Sequence, residues 1–206
     1  MVDNFDLIKP LLTFDDQEDF YYLEVLKRSK DGNKAAGDNH CRLVKDFFIY
    51  SIDYLEKKKD EIIKLCEDNN ARAYLRLRRR NNKQVALKLM SNLATKLSTE
   101  SFMKNPVAEA CSAIGTTPDK KQEPRWLIDI DYDEGATAEA CKDFYLDVMD
   151  KITNEYPNPG ESKFIAAIPS KHGIHIITKP FRADRFRNLF PDVAIHKDNP
   201  TILYCS

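Results

Sequence analysis

Two carboxylates separated by one residue, Asp129 and Asp131, close the apolar run Arg125-Trp126-Leu127-Ile128-Asp129-Ile130-Asp131. Residues i and i+2 of an extended chain share a face, so this run sets two acids side by side on an otherwise apolar strand. Carboxylates that close repel one another unless positive charge lies between them, and a divalent cation is the usual source. Downstream, Ser170-Lys171-His172-Gly173-Ile174-His175-Ile176-Ile177-Thr178 is a turn that opens into a second apolar run carrying one histidine. A glycine in such a turn permits close backbone approach to a phosphate. The chemistry the two stretches would share is metal-assisted work on phosphates.

The elements that must position these groups follow from hydrophobic spacing. Residues 126–131 read as a strand. Residues 137–156 read as a helix, with Ala140, Phe144, Tyr145, Val148, Met149 and Ile152 on one side. Residues 164–169 and 174–178 form a strand pair about the Lys171-His172-Gly173 turn. Residues 183–190 read as a short helix, and 193–196 and 201–204 as short strands around Asp198-Asn199-Pro200, a typical turn. Residues 126–204 therefore spell β-α-β-β-α-β with a final extra strand, the order of a ferredoxin-like unit. Its first and third strands are neighbours, so Asp129, Asp131 and His175 are expected on one sheet face. Asp133 and Glu134 fall in the loop after the first strand.

The first half has a different rhythm. Asp15-Asp16-Gln17-Glu18 ahead of Phe20, Tyr21, Leu23, Val25 and Leu26 reads as a helix with acids in its first turn. A polar linker follows over 30–39. Residues 41–50 read as a strand, 53–67 as a helix, 71–77 as an alternating strand, and 82–97 as a helix whose apolar positions are Val85, Leu87, Leu89, Met90, Leu93 and Leu97. The expected class is α/β (α+β), an N-terminal αβ-repeat unit packed against the ferredoxin-like unit. The expected organisation is a helical lead-in over 1–39, the αβ-repeat over 40–100, a connection over 101–124 with a short helix through 107–113, and the ferredoxin-like unit over 125–206.

Composition bounds the function. The chain has 206 residues, 42% hydrophobic and 32% charged, which reads as an ordinary soluble globular protein. No window approaches the roughly 18 consecutive apolar residues of a membrane span, and the acidic N-terminus lacks the basic-then-apolar pattern of a signal peptide. Five widely spaced cysteines, Cys41, Cys66, Cys111, Cys141 and Cys205, argue against a disulfide framework or a zinc site and for the cytoplasm. A net charge of −1 gives no global basic field, so nucleic-acid binding must rest on local patches. The denser patch is Arg72, Arg76, Arg78, Arg79, Arg80, Lys83 and Lys88; a thinner one is Lys163, Lys171, Lys179, Arg182, Arg185 and Arg187.

An Asp-x-Asp strand followed by Ser-x-x-Gly-x-His entering another strand resembles the archaeo-eukaryotic primase superfamily, which includes the small primase-polymerases of plasmids, phages and other mobile elements. The resemblance covers about residues 40–204. It implies a DNA primase or polymerase that adds nucleotides to a primer or initiating strand. Asp129 and Asp131 match the metal-binding first motif, for Mg²⁺ or Mn²⁺, and with His175 are the implied catalytic residues. Ser170, Lys171, His172, Gly173 and His175 fall on the second motif and are the implied nucleotide-binding residues. Nucleoside triphosphates, a DNA or RNA template and a replicative helicase are the implied partners, and Arg76, Arg78, Arg79 and Arg80 the implied contacts to the template backbone. The third motif is an apolar residue followed by an aspartate. Here Ile195-His196 stands in its place, so Asp192 and Asp198 are the alternative third metal ligands. The weak third acid leaves open a catalytically silent nucleotide- or nucleic-acid-binding module of the same fold. A metal-dependent nuclease is the other alternative, although position 133 is Asp where such enzymes would have a lysine. The histidine run is also similar to the His-x-Thr pair of 2H phosphoesterases, but Thr178 falls one residue late and residues 194–197 supply no second pair.

Overall fold

The computed structural model describes residues 1–32, 41–99, 105–132, 137–155 and 157–206. Asp133 and Glu134 lie outside the described residues, as does most of the linker after Lys30. The fold is mixed α/β with two sheets. The chain runs β1 (Val2–Asp3), α1 (Phe5–Ile8), β2 (Asp19–Arg28), β3 (Cys41–Ile49), α2 (Ile52–Asn69), β4 (Arg72–Arg76), β5 (Arg80–Asn81), α3 (Asn82–Ser98) and α4 (Pro106–Thr116). It continues with β6 (Trp126–Asp131), α5 (Ala138–Asn154), β7 (Phe164–Pro169), β8 (Gly173–Thr178), α6 (Ala183–Leu189), β9 (Ala194–His196) and β10 (Pro200–Cys205). No helix among the described residues is long and apolar enough to cross a membrane.

The helix expected over residues 15–26 is a strand. Phe20, Tyr21, Tyr22, Leu23 and Val25 are all buried, because β2 lies inside its sheet with both faces covered. Such a strand reads as a continuous apolar run with no alternation to identify it. The preceding acids do not begin a helix. Asp19 Oδ2 accepts from the backbone amides of Asp15 and Asp16, at 3.0 and 2.9 Å, and folds them into a turn.

The first sheet has the order β1-β10-β4-β2-β3, with β5 on β2, and every pair in it is antiparallel. Leu55, Ile62 and Cys66 of α2 pack on one face, against Leu23, Val25, Ala73, Leu75 and Leu203. Ser51 caps α2 by accepting from Tyr54 N, and Asn70 ends it in the left-handed region at φ 45°. The second sheet has the order β7-β8-β6-β9, again antiparallel throughout. Ile128, Ile130 and Ile176 on its back pack under Val148 and Ile152 of α5 and Phe186 of α6. Its front, through Leu127, Ile168 and Ile177, joins the core of the first sheet.

The final strand is the crossover between the units. Residues 200–205 were expected within the C-terminal unit but pair with β4 and β1 in the first sheet. Buried Asn4 holds the seam: its Nδ2 donates to Pro169 O (2.8 Å) at the end of β7 and to Ile202 O (3.0 Å) in β10. The seam therefore lies beside the turn that begins at Ser170.

Candidate functional site

Alternation along β6 sends Ile128 and Ile130 to the helices and Leu127, Asp129 and Asp131 to the front of the sheet. Residues directly opposite on neighbouring strands share a face. The register pairs Leu127 with Ile177, Asp129 with His175 and Asp131 with Gly173. The imidazole of His175 accordingly lies against Asp129, with Nε2 3.3 Å from Oδ1. Its Nδ1 lies 2.9 Å from Thr201 Oγ1, which β10 brings across from the first sheet.

The Ser170–Gly173 turn is closed by Ser170 N donating to Gly173 O, and Tyr132 N donates to His172 O, both at 2.9 Å. A Cβ on Gly173 would stand 1.9 Å from the carbonyl oxygen of Ile130. The close approach this glycine permits is thus to the backbone of β6, where the sequence suggested a phosphate.

These groups line a cleft of about 370 Å³ between the sheets. Asp129, Asp131 and His175 form one wall, with Ser170, Lys171 and His172 alongside. The facing wall combines apolar Leu26 and Ile202, the Tyr74 ring, and the guanidinium groups of Arg28 and Arg72. Arg28 Nη1 donates to Tyr74 Oη at 2.9 Å. Arg72 chelates Asp31 through two nitrogens, and Lys171 Nζ is 3.9 Å from the same carboxylate. Burial opposes the Asp31 charge, but the Arg72 hydrogen bonds and the charges of Arg72, Lys171 and Arg28 outweigh it. The Asp31 carboxyl is held below the usual carboxylate range. The cleft therefore opposes acids on β6 to a cationic far wall, a separation suited to a ligand with anionic and metal-binding parts.

Neither of the two alternative third acids lines this cleft. Asp192 is exposed in the turn before β9 and borders a second depression, beside Tyr132 and Cys141, which Asp129 and Asp131 also edge. Asp198 is turned to Arg80, whose Nη2 lies 2.8 Å from its Oδ2. Burial pushes its carboxyl pKa up against the opposing pull of Arg80. The side chain that β9 presents to the cleft is His196, the register partner of Leu127.

Among the described residues no three His, Cys, Asp or Glu side chains converge as a metal centre. The donor set that is present, two carboxylates two residues apart on an exposed strand end, fits a hard cation that keeps water and ligand phosphate oxygens in its remaining positions. That is the usual mode for Mg²⁺, which rarely takes an all-protein cage.

The arginine run is not a binding patch as a whole. Arg79 and Arg80 are buried, at 1% and 0% exposure. Arg79 pairs with Asp119 (2.8 Å), Asp19 (3.1 Å) and Asp15 (2.7 Å). Arg80 binds Asp198 and the carbonyls of Ile114, Arg78 and Gly115. Arg76 donates to Asp198 O at 2.9 Å. Arg78 is half-buried and borders a surface groove with Lys88 and Lys120. The expected template contacts at Arg79 and Arg80 are corrected to structural ion pairs.

Thr201, Arg28 and Tyr74 are site residues that sequence reasoning missed. No spacing connects them to either motif, because each comes from the first sheet. Arg72 was legible only as one member of a basic cluster. Protein-family models, curated proteins and solved structures were compared with the chain, and none matches it.

Proposed function

We propose that this chain is a nucleotidyltransferase of the primase-polymerase type, taking a nucleoside triphosphate into the cleft between its sheets. The observation that carries the reading is the meeting of the two motifs. Asp129 and His175 come from separate stretches, yet lie 3.3 Å apart in a cleft that also holds Asp131 and the Ser170–Gly173 turn. The second sheet supports it as well, since its order with four antiparallel strands is that of a ferredoxin-like unit. A cleft of about 370 Å³ is within the range of small-ligand sites, on the order of 300–1,000 Å³.

Asp129 and Asp131 would hold Mg²⁺ or Mn²⁺, which would supply charge neutralisation at the triphosphate and a more acidic 3′-hydroxyl. The protein's own groups do the positioning. His175 donates from Nε2 toward the phosphates, and the Ser170 hydroxyl adds a second donor. Lys171 and Arg72 stabilise the charge that builds on the leaving pyrophosphate. Tyr74 and the apolar floor of Leu26 and Ile202 offer a surface for a base. The groove of Arg78, Lys88 and Lys120 is the surface for the template backbone, a sequence-independent and salt-sensitive contact.

A second reading is favoured by His196, which occupies the β9 position facing the cleft where the superfamily has its third aspartate. On that reading the domain binds nucleotide or nucleic acid without transfer. Incubation with labelled nucleotide, a primed DNA or RNA template and Mn²⁺ or Mg²⁺ separates the outcomes. Primer extension is the expected result. Retained nucleotide without extension would select the binding module, strand cleavage a nuclease, and no binding at all would defeat each of these.

A further inference from the structure

β10 belongs to the first sheet, yet one of its side chains completes the site on the second. Thr201 is fully buried, and its Oγ1 lies 2.9 Å from His175 Nδ1, while Nε2 of the same ring lies 3.3 Å from Asp129 Oδ1. A neutral imidazole has one N–H and one lone pair. The Nε2–Oδ1 approach is a charge contact without hydrogen-bond geometry, and beside a carboxylate the N–H edge of an imidazole is favoured over its lone-pair edge. A hydrogen on Nε2 leaves Nδ1 as an acceptor. A hydroxyl can donate to it, and Thr201 is the hydroxyl in contact.

We propose that Thr201 is a positioning residue for His175: its hydroxyl donates to Nδ1, fixing the ring plane and the tautomer that presents Nε2–H to the Asp129 side of the cleft. The inference about tautomer rests on geometry alone; its meaning for phosphate binding rests on the nucleotidyltransferase reading. The placement of Thr201 is itself well anchored. Its backbone is in register with Leu75 of β4. The turn that feeds β10 is pinned by Arg80 on the Asp198 carboxylate and by Arg76 on the Asp198 carbonyl. A β-branched side chain on a strand has restricted χ1 freedom, so the hydroxyl is aimed before any ligand arrives. The buried arginine knot of the first unit thus reaches the imidazole of the second through three residues of chain.

Nitrogen-15 NMR of histidine-labelled protein at about pH 8, above the ordinary histidine pKa of about 6.5, reads the tautomer directly. The expected wild-type spectrum has a protonated Nε2, an unprotonated hydrogen-bonded Nδ1 and a slowly exchanging Thr201 hydroxyl proton. Thr201→Val should abolish the hydroxyl signal, shift Nδ1 and weaken ATP binding about 10-fold, the worth of one hydrogen bond. Thr201→Ser should restore all three. A wild-type Nδ1–H, or a ring signature unchanged in Thr201→Val, overturns the proposal. Should the valine variant not fold, the wild-type hydroxyl and Nδ1 signals decide it. Failure of wild type to bind any nucleotide defeats the reading of the cleft instead, and the imidazole signature still decides the role of Thr201.

Discussion

The Arg79–Arg80 knot and the Asp129–His175 cleft both take charge out of water, and they do so for opposite ends. In the knot every cation is met. Arg79 has three carboxylates within 3.1 Å, and Arg80 has one carboxylate and three carbonyls. No surface of either is left for a ligand. In the cleft the pairing is looser: Arg72 is met by Asp31 and Arg28 donates to the Tyr74 hydroxyl, while the acids of β6 stand across a space of about 370 Å³ from both. A run of arginines in a sequence therefore says little about binding until the positions of the acids are known. What marks a site is opposed charge held apart around a void.

The sharpest break of this comparison is at Arg79. Removing one partner of a buried ion pair strands the others, typically at 3–5 kcal/mol. Arg79→Ala should lower unfolding free energy by about that amount, measured by urea denaturation. A loss under about 1 kcal/mol would mean the knot is not structural. Asp129→Asn should do the reverse. It should leave stability within about 1 kcal/mol while cutting nucleotide addition by about 100-fold or more, the scale of losing one electrostatic group at a reacting phosphate. Full activity in that variant would remove the acid pair from the chemistry.

Gly173→Ala sharpens the comparison at the site's own backbone. The added Cβ would meet Ile130 O at 1.9 Å, so β6 and β8 must part where Asp131 faces the turn. Overpacking of this kind costs about 1–3 kcal/mol. The thermal midpoint should fall, and the His175–Asp129 pairing should loosen with it. A variant as stable as wild type would show that the hairpin is free to move.

These contrasts also explain what could be read in advance. Asp129, Asp131 and His175 were legible because a period of two ties side-chain direction to sequence position within a strand, and these polar residues interrupt otherwise apolar runs. The β-α-β-β-α-β order was legible for the same local reason. The strand at residues 19–28 was not, since burial on both faces erases alternation, and acids in a turn resemble acids at a helix start. The sheet to which β10 belongs was not legible either, because pairing is a property of two distant segments. Arg79 lies 40 residues from Asp119 and Arg80 lies 118 from Asp198. The helix over 82–97 was found, but its Leu87, Met90 and Leu97 are exposed at 66–69%, so apolar spacing located the helix without locating its core face.

The finest distinction lies within the knot itself, between two of its acids, Asp119 and Asp198. Burial alone would raise the pKa of Asp119, but the Lys121 amide, the Gln84 amide and the Arg79 guanidinium hold it below the usual carboxylate range. For Asp198 burial prevails over Arg80, and its pKa is raised. The linkage signs are opposite. A lowered folded-state pKa means that the unfolded chain binds the proton more tightly. Asp119 therefore contributes stability that is complete above the unfolded value of about 3.9 and drains as pH falls through its folded value. A raised pKa means that the folded state binds the proton more tightly, so Asp198 opposes folding above its own folded value and stops doing so as pH falls toward about 3.9. Stability measured against pH should separate them. Asp119→Asn should flatten the acid-side loss below about pH 4, whereas Asp198→Asn should steepen the net decline by removing an offsetting gain. Equal slopes in the two variants would mean that both acids are held alike, and that the knot has no weaker half on the side that leads to Thr201.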